Sequence, residues 1–188
     1  MSGCLPSELG LLAEARSLYL WANELTGSVP AALAQLASLE DLVLEENLLT
    51  GTLPDALPPQ LNYLGVGFNK FKGTLPDSLG SLTRLRTLKA DYNQLQGPVP
   101  TSLGSLPDLA YLILSYNQLS GQVPPSLGNL QALFDLELHN NYFSGQLQPE
   151  LFGGAGFRNL TSLSLGYNSI TGTIPRQIGS LPSLVHVE

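Results

Sequence analysis

The sequence is poor in charged residues and in the residues that carry most enzyme chemistry. Its 188 residues include one cysteine, Cys4, and two histidines. A single cysteine excludes an intrachain disulfide. Only 12% of the residues are charged and the formal net charge is -7, a balance that argues against nucleic acid as a partner. The longest apolar stretch, residues 109–114, is too short to cross a bilayer, so we expect no membrane segment in these residues.

Leucine is abundant, with 42 of 188 positions, and it recurs in a repeat. Each repeat contains an asparagine that is followed by an apolar residue two places later and by a glycine four places later. Apolar residues also lie eight, five and three places before it. The repeating asparagines are Asn23, Asn47, Asn69, Asn93, Asn117, Asn141 and Asn168. Their spacing of 22 to 27 residues predicts one array of stacked units.

The consensus LxxLxLxxNxLxGxIPxxLGxLxx predicts the fold of each unit. The period of two in LxLxx predicts a short strand with its leucines on one face. One strand cannot bury its leucines alone, so neighbouring units must stack into a parallel sheet over a continuous core. The LGxL segment, as in residues 103–106, predicts a helical or 3₁₀ turn on the outer side.

This consensus resembles that of the plant-type leucine-rich repeat family, and the resemblance covers nearly the whole chain. Such repeats occur in receptor-kinase ectodomains, receptor-like proteins and polygalacturonase-inhibiting proteins. The resemblance implies an α/β repeat fold, a right-handed solenoid with a parallel sheet on its concave face and short helical or 3₁₀ turns outside. It also implies a location at the cell surface or outside the cell.

The repeat pattern sets the expected domain organisation. We expect a single array over residues 1–188, with a partial repeat at 1–14, seven repeats at 15–183 and a truncated eighth at 184–188. Both ends are open in this pattern, as in the interior of a longer protein, and open ends can associate with another chain. Residues 1–14 do not have the pattern of a signal peptide.

Two repeats depart from the consensus. The second is two residues short, and Pro58 and Pro59 replace its outer turn, so we expect an extended segment there. The sixth is three residues longer, and we expect residues 153–156 to bulge on the outer or lateral side. Their glycines lack the following lysine and the strand-to-helix context of a phosphate loop.

The repeating asparagine lies where the chain turns off the strand. Its amide can donate two hydrogen bonds and accept others. We therefore expect these asparagines to form a structural ladder that satisfies turn backbone groups in their own and the next repeat.

Residues six, four, two and one places before each asparagine alternate with the leucines and should line the concave face. They vary freely and include aromatic side chains, as recognition surfaces do. The central repeats supply the candidate partner-binding residues, a patch about four strands wide, roughly 15–20 Å. They are Tyr63, Phe68, Lys89, Asp91, Tyr111, Ile113, Glu137 and His139. The alternative is a solvated sheet face without a ligand.

Two further features of this face have alternative interpretations. Tyr92, Tyr116 and Tyr167 each precede a ladder asparagine, so they either bind a partner or pack on the ladder. An acidic second repeat borders residues 70–89, which hold five of the eight basic residues. A polar ligand could straddle that boundary, or the charges could simply keep the array soluble.

Enzyme activity is not expected from these residues. Asp135, Glu137 and His139 share one face, but no neighbouring repeat offers a second histidine or cysteine for a metal. Ser115 and His139 are within reach across adjacent strands, yet nothing resembles a nucleophile elbow or an oxyanion hole. We expect no cofactor and no metal.

The sequence therefore favours a non-catalytic module that binds a protein or peptide through its concave face, within a cell-surface receptor or signalling protein. The alternatives are a secreted enzyme inhibitor and a structural repeat protein that faces glycans or ice. A lateral strip that begins at Thr26 supports the structural alternative, but Lys72 and Gln96 interrupt it. Asn159 begins an N-x-T sequon, so it is a candidate glycosylation site if the chain is secreted.

Overall fold

The chain forms a solenoid of stacked repeats with one parallel sheet on each of two faces. This computed structural model describes residues 1–153 and 156–188. The predicted leucine-rich repeat architecture is confirmed. Each sheet has eight strands, and each turn of the solenoid adds one strand to both.

The strands predicted from the LxLxx motif form the first sheet, named here the concave sheet. Equivalent residues of successive repeats pair in register, so that Leu64, Leu88 and Leu112 lie side by side. These central leucines are buried, and in the strand Thr87–Lys89 the residues on either side of the leucine are half-buried. The strands of the concave sheet are Ser17–Tyr19, Asp41–Val43, Tyr63–Gly65, Thr87–Lys89, Tyr111–Ile113, Asp135–Glu137, Ser162–Ser164 and His186–Val187.

The second sheet, named here the lateral sheet, was not predicted from the sequence. In each complete repeat its strand follows the ladder asparagine and, in six of these repeats, takes in the repeating glycine, which has a φ between 75° and 83°. In five of these six repeats the strand ends at this glycine, whose left-handed backbone carries no Cβ penalty. The strands of the lateral sheet are Ser2–Cys4, Glu24–Gly27, Leu48–Gly51, Lys70–Gly73, Gln94–Gly97, Gln118–Gly121, Tyr142–Gln146 and Ser169–Thr171.

The outer side is made of the predicted 3₁₀ turns. Five of the six carry a glycine in the LGxL segment, and Ala34 takes its place in the other. The glycine allows close stacking: a Cβ on Gly104 would overlap the backbone of Ser126 in the next repeat. The 3₁₀ helices are Ser7–Leu11, Ala31–Gln35, Asp77–Ser81, Thr101–Ser105, Pro125–Asn129 and Arg176–Ser180.

The two irregular repeats differ on this outer side. In the second repeat no helix is assigned among residues 52–62, as the two prolines predict. In the sixth repeat the α-helix Glu150–Gly153 replaces the 3₁₀ turn. Of the bulge expected at 153–156, residues 154 and 155 lie outside the described residues.

A single core of leucines, with Phe71, Phe143 and Phe157 among its largest fully buried side chains, runs through the stack. Apolar side chains from both sheets and from the outer turns contribute to it in the central repeats, and Phe71 takes the place of the lateral leucine in the third. Because each repeat buries its leucines against its neighbours, the core holds the strands of the concave sheet in a fixed register.

The ladder asparagines join each repeat to the one before it. Asn117 donates from Nδ2 to the carbonyl oxygens of Leu114 and Ser115 in its own turn, and to Ala90 of the preceding repeat at 2.9 Å. Its Oδ1 accepts from the backbone N–H of Leu95 at 3.0 Å, also in the preceding repeat. The sequence predicted that the amide bonds to the next repeat, and this was wrong. The amide bonds to backbone groups of the preceding repeat.

The ladder asparagines differ in burial. Asn47, Asn69, Asn117 and Asn141 are buried, whereas Asn23, Asn93 and Asn168 are half-buried. At the start of the array, Asn23 Oδ1 accepts a hydrogen bond from the amino group of Met1 at 2.6 Å.

We predict that Asn117→Ala lowers the free energy of unfolding by about 1–3 kcal/mol, because it leaves the Leu95 N–H without its acceptor and removes one of the two amide donors to the Ala90 carbonyl oxygen. The adjacent Gln118 is exposed and begins a strand of the lateral sheet, so Gln118→Ala is the matched control and should change stability little. Urea unfolding of both variants measures the difference. Equal losses would contradict the role of the ladder.

We also predict that hydrogen exchange is fastest at the two terminal strands and slowest between residues 85 and 138. Ser2–Cys4 and His186–Val187 each pair with one neighbouring strand, whereas central strands pair with two, and stability in repeat arrays depends on neighbour interfaces. Amide exchange followed by mass spectrometry measures this profile. Uniform protection would mean that the ends are covered, for example by another chain.

Candidate functional site

A groove of about 620 Å³ runs across the concave sheet. It crosses six repeats, wider than the four expected from the sequence. Its walls combine aromatic rings with carboxylates. The residues that line it are Trp21, Val43, Glu45, Glu46, Tyr63, Phe68, Lys89, Asp91, Tyr111, Ile113, Asp135 and Glu137.

The structure brings seven of the eight candidate residues together in this groove, and His139 is the exception. Tyr111 is 44% exposed and stands at the surface of the groove. Ile113 is only 8% exposed, because the side chains of neighbouring strands cover it, so it forms part of the floor.

His139 instead belongs to a cluster beside the groove. Its ring lies edge-on to Tyr116 with centroids 5.2 Å apart, and its Nδ1 is 3.0 Å from Ser164 Oγ. The serine expected to face it, Ser115, donates to Glu137 Oε2 at 3.4 Å. Ser164 also donates to Glu188, so the acid contacts the serine and not the histidine, unlike the order of a catalytic triad.

The third repeat contributes two glycines, Gly65 and Gly67, where its neighbours have side chains. The space above them is filled from adjacent strands: a Cβ on Gly65 would overlap the Glu45 carboxylate, and one on Gly67 would lie 2.5 Å from Asp91 Oδ1. Tyr63 donates from its hydroxyl to Glu45 Oε1 at 2.7 Å. The glycines thus let two carboxylates lean towards each other across the middle of the groove.

The groove is acidic. Five carboxylates line it, and Lys89 is the basic side chain among the lining residues. The other basic residues of the window noted in the sequence lie elsewhere: Lys70 and Lys72 are exposed on the lateral sheet, and Arg84 and Arg86 are exposed outside the strands. The positive half of the predicted charge boundary therefore does not form one surface with the acidic half.

Burial and mutual repulsion act on these carboxylates. Burial raises the pKa of the Asp91 carboxyl and the Glu45 carboxylate adds to the rise, while Lys89 opposes it. Burial also raises the pKa of Glu137, and Asp135 raises it further. The pKa of the Tyr63 phenol is raised by burial and by its hydrogen bond to Glu45, so Tyr63 remains a donor. The positive charge of Lys89 therefore does not offset the effect of burial on the pKa of the Asp91 carboxyl.

An aromatic stack borders the groove. Phe68 and Tyr92 stack at 4.3 Å between ring centroids, and Tyr92 and Tyr116 at 4.1 Å. Each ring precedes a ladder asparagine and has a left-handed backbone, with φ between 49° and 54°, an uncommon conformation for such residues. Tyr167 is 78% exposed and does not join the stack, because Asn140 holds the equivalent place in the repeat before it. Tyr92 and Tyr116 thus pack along the ladder.

Neither the groove nor the lone thiol provides an evident metal site. Within residues 1–153 and 156–188, no group of three His, Cys, Asp or Glu side chains could hold a metal ion. Cys4 is exposed, and its Sγ lies 3.8 Å from Thr26 Oγ1. In the same ranges no helix is long and apolar enough to cross a bilayer.

The sequon residue Asn159 is exposed, and its amide nitrogen donates to the Gln131 carbonyl at 3.1 Å. Thr161 of the same sequon donates to Phe134. A glycan at Asn159 would have to be attached at the nitrogen that donates to the Gln131 carbonyl.

Five residues that line the groove were expected on the concave face but were not among the candidate partner-binding residues. Trp21, Val43, Glu45, Glu46 and Asp135 all occupy the periodic concave positions. The signal that could have singled out their neighbourhood is the sequence Gly65-Val66-Gly67, because two concave positions without side chains predict a depression in the sheet.

The sequence matches the Leucine Rich Repeat family model at residues 108–130 and 159–181. A comparison with curated proteins gave no significant match. The family model therefore covers two of the repeats directly, and the solved structures cover the rest.

Solved plant receptors superpose on the whole chain. The plant peptide hormone receptor RGFR1, solved with RGF2, is 32% identical with a TM-score of 0.94, over 99% of this chain and 30% of the receptor chain. The Arabidopsis receptor kinase HAESA, solved with the peptide hormone IDA and the co-receptor SERK1, is 31% identical with a TM-score of 0.92, over 97% of this chain and 30% of its own.

A bacterial structure shows that the fold extends beyond plants. A leucine-rich repeat protein of Leptospira interrogans is 32% identical with a TM-score of 0.80, over 98% of this chain and 45% of its own. The chain spans less than a third of the length of the two plant receptors. The ladder, the two sheets and these matches agree: the chain belongs to the leucine-rich repeat family, with repeats like those of plant receptor-kinase ectodomains.

Proposed function

We propose that this chain is a non-catalytic module that binds an extended peptide, or the exposed edge of a folded protein, in its concave groove. The observation that carries the proposal is the groove itself, an open surface with aromatic anchors on a rigid repeat frame. Six strands at about 4.8 Å apart make it roughly 24 Å long, which an extended peptide of about seven residues would cover at 3.3 Å per residue.

The comparisons support this proposal. The matched receptors RGFR1 and HAESA are described with peptide hormones bound. By analogy, the chain would be the ligand-binding portion of a cell-surface receptor and would act outside the cell. Tyr and Trp supply most anchors at recognition surfaces, and Trp21, Tyr63 and Tyr111 line the groove.

We predict that Tyr111→Ala weakens binding of peptides selected on this chain by about tenfold or more, roughly 1.4 kcal/mol, because it removes an aromatic anchor. The peptides would be selected from a random library of about seven residues, matched to the groove by strand spacing. Affinity would be measured by fluorescence polarisation.

Tyr142→Ala is the matched control. Tyr142 is 63% exposed and begins a strand of the lateral sheet, so its loss should leave the affinity unchanged. If Tyr142→Ala were the more damaging variant, recognition would lie on the lateral face and the glycan-facing or structural alternative would be favoured.

We also predict that Asp91→Asn and Glu137→Gln stabilise the folded chain at neutral pH. Both carboxyls have a pKa raised by burial in the folded state. Their contribution to stability is therefore fully present below the unfolded pKa and is lost as the pH rises through the folded pKa. The neutral variants keep this contribution to stability at neutral pH. Such a gain is expected where residues are retained for binding at the expense of stability.

Urea unfolding at neutral pH and in acid measures this effect. The gain should vanish in acid, where the wild-type carboxyls are themselves protonated. Asp108→Asn, on the exposed outer side, is the control. A loss of stability in both groove variants at neutral pH would show that their charges are compensated.

A further inference from the structure

We propose that the centre of the groove recognises a guanidinium group, the side chain of an arginine in the bound peptide, between the carboxylates of Glu45 and Asp91. This inference rests on the proposed function, because it names the chemical class of side chain that the peptide-binding groove accepts. Three independent features support it: the backbone register, the unpaired oxygens and the aromatic walls.

The register places a glycine between the two acids. Backbone hydrogen bonds from Glu46 N to the Gly67 oxygen and from Phe68 N to the Asp91 oxygen align three adjacent strands. Glu45, Gly67 and Asp91 thus form one row, with the two acidic residues roughly 10 Å apart at twice the strand spacing. A Cβ at position 67 would lie 2.5 Å from Asp91 Oδ1, so glycine there lets the Asp91 carboxylate lean towards Glu45.

The carboxylates along the groove have spare acceptor capacity. Glu45 Oε1 is held by Tyr63, but the buried Glu45 Oε2 receives no hydrogen bond. Asp135 Oδ1 is also buried and without a donor. The ion pair found in the described residues, between Arg16 and Glu40, lies outside the groove. Buried carboxylate oxygens without donors are costly, so a cation bound beside these carboxylates lowers the cost of burying their negative charge.

The aromatic walls favour a guanidinium over other cations. Trp21, Tyr63 and Phe68 line the same groove, and a planar guanidinium stacks on aromatic faces while its five donors reach carboxylates on more than one side. A metal ion needs several ligands at one point. No such group was found among the described residues.

Lys89 allows a test in which a substitution should strengthen binding of the cation. It lines the groove and is the basic residue whose charge lowers the pKa of Asp91. Its ammonium therefore competes with a cationic ligand. Its removal should strengthen binding of a cation, whereas general damage to the groove would weaken it.

The test is a titration of the whole, ¹⁵N-labelled chain with N-acetylarginine methylamide, followed by NMR. N-acetylcitrulline methylamide is the matched probe, since it has the same shape and no charge. The arginine probe should shift the amide signals of Glu45, Gly65, Gly67 and Asp91, and the citrulline probe should bind at least about tenfold more weakly.

Variants test the assignment of the site. Glu45→Gln combined with Asp91→Asn should weaken the arginine probe by about tenfold or more, and Lys89→Gln should strengthen it. Asp108→Asn, on the outer side, should have no effect. Retained spectral dispersion in each variant shows that it folds.

Equal binding of the two probes, shifts centred elsewhere, or weaker binding in Lys89→Gln would overturn the guanidinium site. The proposed function fails in a different way. If selected peptides lack basic residues but lose affinity in Tyr111→Ala, concave recognition stands and the guanidinium inference is wrong. If no peptide is selected above the bare support, the proposed function is wrong, whatever the arginine probe shows.

Discussion

The asparagine amide that joins each turn to the preceding repeat is the interaction on which the rest of the structure depends. At Asn117 one side chain satisfies backbone groups in two successive repeats. The same geometry recurs at Asn47, Asn69, Asn93 and Asn141. It fixes the distance and rotation between repeats, so that leucines meet in register inside and concave residues meet in register outside. The groove is a consequence of that regularity.

The concave face is free to vary because the ladder and the core do not constrain it. Leucines and asparagines occupy the positions that stacking requires, while the alternate positions are free to hold any side chain that tolerates a strand. In this chain they hold aromatic rings and carboxylates in the first six repeats. The carboxylates are placed where burial and their neighbours raise the pKa of Asp91 and Glu137. Such an arrangement does little for folding, which is why we attribute it to recognition.

The repeat pattern predicted much of this fold, and there are physical reasons why it did not predict the rest. The spacing of leucine, asparagine and glycine predicted the strands of the concave sheet, the outer 3₁₀ turns and the interruption at Pro58 and Pro59. It did not predict the lateral sheet, because the segment after each asparagine holds a single recurring apolar position before the glycine and so lacks the alternation of LxLxx. The direction of the asparagine bonds depends likewise on the path of the turn, which residue spacing does not specify.

For the site, periodicity predicted the face but not the shape of its surface. Seven of the eight candidate residues line the groove, because side-chain alternation fixes the face of each residue. The His139 side chain contacts Tyr116 and Ser164, and the Glu45 side chain lies over Gly65. Both positions depend on side-chain rotamers and on the space left by neighbouring strands.

The most direct test of the account is a crystal structure of this chain with the tightest peptide selected on it. The account predicts a peptide lying along the groove from Trp21 to Glu137; a peptide seated on the lateral sheet or on the outer turns would contradict it.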